Sequence, residues 1–223
     1  MHQRHQVINT IYDLGLIPVF YNGDPRVTTK IVTTCLEGGA SVIEFTNRGA
    51  FAHQVFAELS RFVADKNLPV ILGAGSVMDA PTAALYINNG AAFIVAPSFN
   101  PEVATLCNRR KVLYIPGCGS VTEISRAHEW GAEFVKVFPG SQVGGPGFVK
   151  AVRGPMPWTS IIPTGGVEPT WASIKGWIEA GAAALGIGSK LISKDVIASE
   201  DWEGLKKTTR ACLDFVAKAR NGG

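Results

Sequence analysis

The run FVKVFPG, residues 134–140, places one lysine, Lys136, among apolar side chains. The run has the composition of a buried strand, and burying an ammonium group is costly unless the group is paired or gives up its proton. Alternate side chains of a strand share one face, so Phe134, Lys136 and Phe138 are predicted to point one way and the two valines between them the other. If the valines contact helices, Lys136 points to the inside of the sheet.

A second ionisable residue, Glu44, interrupts the apolar run SVIEFT at residues 41–46. Glu44 and Thr46 alternate onto one face of that predicted strand. A lysine in an apolar pocket has its pKa lowered from about 10.4 toward neutrality, and the resulting free amine can attack a ketone to form a Schiff base. A nearby carboxylate can move protons among the carbinolamine, the substrate hydroxyl and water. Lys136 and Glu44 fit these two roles, and the alternative is a buried structural ion pair.

Eight short apolar runs, rich in Val, Ile, Leu and Phe, are candidate strands. Their first residues are Leu16, Ser41, Pro69, Ala92, Val112, Phe134, Ser160 and Ala184. Segments of helical period lie between them, and four of these end in a Gly-Ala pair, which is typical of a helix that stops at a glycine. Candidate caps mark four helix starts, at Asp24, Asp79, Asn100 and Ser120, the last forming a capping box with Glu123.

Continuous apolar strands that alternate with helices indicate a parallel sheet covered on its faces. Eight such units in 223 residues predict an α/β fold of one (β/α)8 TIM barrel, a single domain over residues 1–223. We expect a short helical segment before the first strand and a final helix from near Ser199. The alternative, an open doubly wound sheet, would carry GxGxxG or GxxxxGK after the first strand, and the stretch FYNGDP found there has neither.

Polar residues follow four of the predicted strands, namely Arg48, Ser76, Thr164 and Ser189. The carboxyl ends of the strands form the face on which barrel enzymes build their active sites. A structural ion pair would not require polar residues at these four positions, so their presence favours a site that includes Lys136.

Two glycine-rich turns, PTGGV at residues 163–167 and GIGS at residues 186–189, follow the last two strands. Exposed backbone N–H groups after these strands commonly bind phosphate in barrels. The candidate phosphate-binding residues are Thr164, Gly165, Gly166, Gly186, Gly188 and Ser189. The geometry of a turn explains the glycines of either turn equally well, but the occurrence of both turns together favours phosphate binding. Lys190 either adds positive charge or is a solvated surface residue.

The composition, 46% hydrophobic and 17% charged with a net charge of +3, indicates a globular protein and gives little support for nucleic acid binding. The amino terminus lacks a signal peptide and no apolar run is long enough to cross a bilayer, so we expect a cytoplasmic protein. The four cysteines and four histidines show no metal-ligand spacing. We therefore expect free thiols and no metal, with His2 and His5 in a frayed amino terminus.

The motifs IEFTNR, GAGS, IPG, FVKVFP, PTGG and GIGS, in this order along nearly the whole chain, resemble those of the 2-keto-3-deoxy-6-phosphogluconate (KDPG) and 4-hydroxy-2-oxoglutarate (KHG) aldolases. The resemblance implies a class I aldolase on a (β/α)8 barrel, usually a homotrimer. Such an enzyme reversibly splits a 2-keto-4-hydroxy acid into pyruvate and an aldehyde, with no cofactor or metal.

The resemblance also implies a role for each matching residue. It makes Lys136 the Schiff-base lysine and Glu44 the acid and base, and it places the two phosphate-binding turns at the glycines named above. Arg48 and Ser76 match positions near the pyruvate carboxylate, although the family commonly has threonine in place of Ser76, and Pro97 and Phe138 match pocket walls. The sequence departs from the family in the loop at residues 141–158, at Asn47 and at the pair Cys118-Gly119, and these departures bear on substrate choice.

Two other functions share part of this pattern. A phosphate-binding barrel isomerase or synthase would have the two glycine-rich turns but no need for a lone inward lysine beside a glutamate. A catalytically silent barrel that binds a sugar phosphate is the alternative that is not an enzyme.

Overall fold

The computed structural model describes residues 2–222. Its strands are β1 (Leu16–Phe20), β2 (Val42–Thr46), β3 (Ile71–Gly75), β4 (Phe93–Val95), β5 (Leu113–Ile115), β6 (Gly117–Cys118), β7 (Val135–Val137), β8 (Ile161–Pro163) and β9 (Leu185–Ile187). Its helices are α1 (Arg4–Leu14), α2 (Pro25–Glu37), α3 (Ala52–Asp65), α4 (Ala80–Asn88), α5 (Pro101–Arg110), α6 (Val121–Glu129), α7 (Gly145–Arg153), α8 (Trp171–Glu179), α9 (Lys194–Ala198) and α10 (Trp202–Arg220). Strands and helices alternate as the sequence predicts.

The strands close into a barrel through two parallel sheets. One sheet has the order β5-β4-β3-β2-β1-β9 and the other the order β6-β7-β8. Pro116, which has no N–H group, separates β5 from β6, so these two strands are one interrupted barrel strand. Parallel bridges from Ile161 to Ala182 and from Thr164 to Gly186 join β8 to β9. This ring of eight parallel strand positions confirms the predicted (β/α)8 barrel.

Two apolar clusters lie on the two faces of this barrel. The larger cluster lies between strands and helices and includes Val135 and Val137. The smaller cluster fills the barrel interior and includes Val42 and Phe134, which lie at the amino ends of β2 and β7. The side chains of β2 and β7 therefore alternate between lumen and helices as predicted.

Helix α1 covers the amino end of the barrel. Its Val7 and Ile11 are buried, and they belong to the interior cluster rather than to the layer under the other helices. The expectation of a frayed amino terminus is therefore wrong for residues 4–14, although His5 is exposed. With apolar side chains closing this end, the polar lumen residues lie toward the carboxyl ends of the strands.

The predicted helix caps and helix stops form hydrogen bonds in the structure. Each of the four predicted caps accepts a hydrogen bond from a backbone N–H in the first turn of its helix. In the predicted capping box, Glu123 accepts from the N–H of Gly119 and from the Ser120 hydroxyl. The glycines of all four Gly-Ala pairs have positive φ, and the following alanine N–H bonds back to the helix, which confirms the predicted helix stops.

The end of the chain differs in detail from the prediction. Ser199 ends the short helix α9, and its hydroxyl donates to the carbonyl of Asp195 at 2.7 Å. The backbone then turns through Glu200, which has a positive φ of 51°, and α10 begins at Trp202 with Asp201 as its cap. The final helix therefore starts three residues later than Ser199. No helix within residues 2–222 has the length and hydrophobicity needed to span a membrane.

Candidate active site

Lys136 and Glu44 meet inside the barrel. Lys136 is the middle residue of β7 and Glu44 the middle residue of β2, and they are 7% and 3% exposed. The Lys136 Nζ atom lies 3.8 Å from Glu44 Oε1. Strand alternation predicts that both side chains point inward, and the barrel brings the two opposite strands close enough for the side chains to pair across the lumen.

Gly75 on β3 makes room for the Glu44 carboxylate. Glu44 pairs with Gly73, and Gly75 lies two residues further along the same strand. A Cβ atom on Gly75 would overlap Glu44 Oε1, so a larger residue at this position would displace the carboxylate. From sequence, Gly75 is recognisable only as part of the motif GAGS, because no local pattern says which side chain a glycine faces.

The Glu44 carboxylate has unused hydrogen-bonding capacity. Its Oε1 atom is buried and accepts no hydrogen bond from any described residue. A buried carboxylate oxygen without a donor is costly, and such groups in native proteins commonly serve water, an ion or a substrate. At 3.8 Å the contact with Lys136 is an ion pair rather than a hydrogen bond, which leaves Oε1 able to accept a proton.

The lysine amine is bordered by an aromatic ring. Lys136 Nζ lies 5.2 Å from the centroid of the Phe138 ring, within the range of a cation–π contact. On the neighbouring strand Lys136 pairs with Gly117, where a Cβ atom would overlap the carbonyl group of Pro97. Phe138, predicted as a pocket wall, therefore lies beside the lysine. Pro97, the other predicted pocket wall, lies beside β6, the strand next to β7.

Arg48 and Ser76 lie together at the carboxyl ends of β2 and β3. The Arg48 Nε group donates to Ser76 Oγ at 3.4 Å, and Ser76 has a positive φ of 57°. The two terminal nitrogens of the Arg48 guanidinium make no hydrogen bond or ion pair with the described residues. The structure thus brings together the two residues predicted to bind a carboxylate and leaves donors available for one.

A hydrogen bond from α4 fixes the segment that carries Arg48. The Tyr86 hydroxyl donates to Asn47 Oδ1 at 2.9 Å, and the Asn47 N–H donates to the carbonyl of Gly75 at 2.8 Å. Burial, together with the nearby Tyr21, raises the pKa of Tyr86 to about 12, so this hydroxyl keeps its proton at neutral pH. Sequence reasoning missed Tyr86, because it lies on a helix that no motif connects to the site.

The first glycine-rich turn follows β8. Gly165 and Gly166 both have positive φ, 88° and 83°, which favours glycine. The Thr164 side chain packs where a Cβ atom on Gly186 would lie. Gly186 is thus a strand residue that accommodates Thr164, whereas Gly165 and Gly166 form the turn itself.

The second turn follows β9. The N–H groups of Leu191 and Ile192 both donate to the carbonyl of Gly188, at 2.9 and 3.0 Å. The N–H groups of Gly166, Ser189 and Lys190 make no backbone hydrogen bond with the described residues. The two turns lie on neighbouring strands, so the unused N–H groups of both are available to an anion at this end of the barrel.

The remaining candidate groups do not form a nucleophilic or metal centre. All four cysteines are buried and free, and burial, with a contribution from Glu123, raises the pKa of the Cys118 thiol to about 12. A thiol that stays protonated at neutral pH is a weak nucleophile. Within residues 2–222, no three His, Cys, Asp or Glu side chains are grouped to hold a metal ion.

Fold and site together define a (β/α)8-barrel protein whose lumen holds a buried lysine–glutamate pair, with an arginine and two glycine-rich turns at the carboxyl ends of its strands. The model of the KDPG and KHG aldolase family matches residues 7–208. The chain therefore belongs to the KDPG and KHG aldolase family.

Individual relatives support this assignment. The 2-dehydro-3-deoxy-phosphogluconate aldolase of Treponema pallidum is 38% identical over 162 residues, which cover 73% of this chain and 75% of the relative. The aldolase of the same name from Haemophilus influenzae is 28% identical over 211 residues, covering 95% and 97%. The fold is similar to that of a Legionella pneumophila KDPG aldolase with pyruvate captured as a covalent carbinolamine intermediate, with a TM-score of 0.81, 24% identity and coverage of 91% and 96%.

Proposed function

We propose that this protein is a class I aldolase that reversibly cleaves a 2-keto-4-hydroxy acid to pyruvate and an aldehyde, with KDPG as the substrate it cleaves best. The observation that carries the proposal is the buried Lys136 Nζ atom 3.8 Å from Glu44 Oε1. Family membership supports the reaction class. A barrel isomerase or synthase, or a silent binding barrel, would not need an amine and a carboxylate buried together in its lumen.

In the proposed reaction, the free amine of Lys136 attacks the C2 ketone of the substrate. The carbinolamine loses water and becomes a protonated Schiff base. Glu44 then takes the proton of the C4 hydroxyl through a water molecule, the C3–C4 bond breaks, and its electron pair moves onto the Schiff base to form an enamine. The aldehyde leaves, C3 of the enamine is protonated, and water releases pyruvate and the free Lys136 amine.

Arg48 and Ser76 are proposed to hold the pyruvate carboxylate. The Arg48 guanidinium has two free terminal nitrogens, which suit a carboxylate because the guanidinium fork matches its two oxygens. The Nε contact with Ser76 orients the fork. Binding of the carboxylate in this way would place the C2 ketone in position for attack by the Lys136 amine. Arg48 and Ser76 would then lower the activation barrier by positioning the substrate rather than by taking part in the chemistry.

The phosphate of KDPG is proposed to bind at the turns after β8 and β9. The unused N–H groups of Gly166, Ser189 and Lys190 and the Ser189 hydroxyl support this assignment. The space beside Gly188 is open, since the nearest atom to a Cβ placed there is the Val19 carbonyl oxygen at 3.6 Å. KHG has no phosphate and would not use these groups.

We also propose a homotrimer, the assembly that the family resemblance implies. The exposed apolar side chains of Phe51, Met78 and Leu85, at 67%, 56% and 41% exposure, support an interface on the α3–α4 side of the barrel. Sedimentation equilibrium decides this point, and a monomer at micromolar concentration would contradict it.

Purified protein is expected to release pyruvate from KDPG with a higher kcat/KM than from its galactonate epimer or from KHG. Pyruvate release coupled to lactate dehydrogenase measures all three reactions. Ser189→Ala is expected to lower kcat/KM for KDPG by about tenfold, the effect of losing one hydrogen bond to a charged group, and to change KHG cleavage much less.

Ser199→Ala is the control for this prediction, since its hydroxyl bonds only to the outer helix α9. Gly166 is unsuitable for the test because a Cβ atom there would overlap the Ser141 side chain, which would disturb the turn for every substrate. Equal losses on KDPG and KHG in Ser189→Ala would contradict the phosphate assignment. Release of pyruvate from none of the three substrates would contradict the proposed function.

A further inference from the structure

An ion pair links the two glycine-rich turns. Glu168 lies two residues after Gly166, and Lys190 follows Ser189 directly. The Lys190 Nζ atom lies 3.2 Å from Glu168 Oε1, and the two side chains are 63% and 50% exposed. The pair therefore connects the turn after β8 to the turn after β9, next to the backbone N–H groups proposed to bind phosphate.

The position of Glu168 is fixed by its backbone. The Glu168 N–H donates to Ser173 Oγ at 3.0 Å, which ties this residue to the first turn of α8. This hydrogen bond holds the Glu168 backbone at the end of the turn that follows β8. A carboxylate that pairs with Lys190 beside a phosphate site offsets the positive charge that would attract the phosphate dianion.

The pair itself is weak enough to be exchanged. Ion pairs between exposed side chains contribute about 0–1 kcal/mol, because water and salt screen the two charges. A phosphate dianion at the adjacent turns can therefore compete with Glu168 for the Lys190 ammonium group. The attraction of Lys190 for the substrate phosphate is therefore reduced by the attraction of Lys190 for the Glu168 carboxylate.

We propose that Glu168 is a specificity-determining residue that, by holding Lys190, limits how strongly the protein prefers phosphorylated substrates. This inference rests on the proposed function and refines its phosphate site. It assigns opposite effects to the two partners: Glu168 lowers the preference for KDPG over KHG, and Lys190 raises it. A purely structural surface pair would have no such effect.

The test compares Glu168→Gln, Lys190→Met and the double variant. In 50 mM salt, Glu168→Gln is expected to raise the ratio of kcat/KM for KDPG to that for KHG by about threefold, the scale of an exposed ion pair. Lys190→Met is expected to lower the ratio, and the double variant is expected to lack the gain of Glu168→Gln. The gain is expected to shrink in 500 mM salt, because screening weakens exposed charges.

Glu37→Gln is the matched control, since it breaks another exposed pair, in which Lys206 Nζ lies 3.4 Å from Glu37 Oε2 between α2 and α10. Calorimetric binding of glycerol 3-phosphate provides a readout without turnover, with the same order expected: Glu168→Gln tightest and Lys190→Met weakest. An unchanged or lower ratio in Glu168→Gln, or a gain that persists in the double variant, would overturn the inference. If the wild type cleaves no substrate, the proposed function fails and the binding order alone decides this inference.

Discussion

Borohydride added together with pyruvate is expected to inactivate the protein irreversibly and to leave one reduced adduct, on Lys136. Pyruvate condenses with the free amine, and hydride reduction of the resulting imine gives a secondary amine that cannot hydrolyse. Among the described residues, Lys136 is the only lysine whose side chain is buried. Intact-mass measurement should therefore show that the protein gains the mass of one pyruvic acid less one oxygen atom. Peptide analysis should place this modification at residue 136.

Two variants separate the amine from the charge. Lys136→Ala removes both, and Lys136→Arg keeps a positive charge but has no usable amine, so neither should form the adduct or turn over substrate. Lys150→Ala, which changes an exposed lysine on α7, is expected to be trapped like the wild type. An adduct on another lysine, or inactivation without pyruvate, would contradict the assignment of Lys136.

The sequence predicts that the side chains of Lys136 and Glu44 point into the barrel, but it does not predict the distance between them. The period of two in a strand places Lys136 and Glu44 on the inner face whatever the barrel size. The 3.8 Å between them depends on the tilt and stagger of strands far apart in sequence, and on the glycine at position 75 that leaves space for the carboxylate. Neither quantity is encoded in a local pattern.

Contacts between distant segments account for two other misses, the burial of helix α1 and the role of Tyr86. The burial of Val7 and Ile11 on helix α1 depends on the open amino end of a barrel that they help to close. In the same way, the Tyr86 hydroxyl reaches Asn47 across 39 positions. Helix caps and stops were predictable because their hydrogen bonds span only a few residues.

The Glu44 variant distinguishes a catalytic pair from a structural one. Glu44→Gln keeps the shape of the side chain but removes its ability to take a proton, so turnover of KDPG is expected to fall by about 10²-fold or more, as for loss of a positioned acid or base. The variant should still be trapped by pyruvate and borohydride, because it keeps the Lys136 amine that forms the imine. Retained trapping with lost turnover would locate the role of Glu44 in proton transfer during C–C cleavage.

The matched control is Glu133→Gln, which removes one partner of the structural pair between Arg4 Nη2 and Glu133 Oε2, 2.6 Å apart. This control is expected to lower the melting temperature and to leave turnover near that of the wild type. If Glu44→Gln behaved like the control, with near-normal turnover and a lower melting temperature, Glu44 and Lys136 would be a buried ion pair that stabilises the barrel. Both variants lose one carboxylate from one ion pair, so a loss of turnover in Glu44→Gln alone, with trapping at Lys136 retained, is the result expected if the carboxylate at position 44 moves a proton.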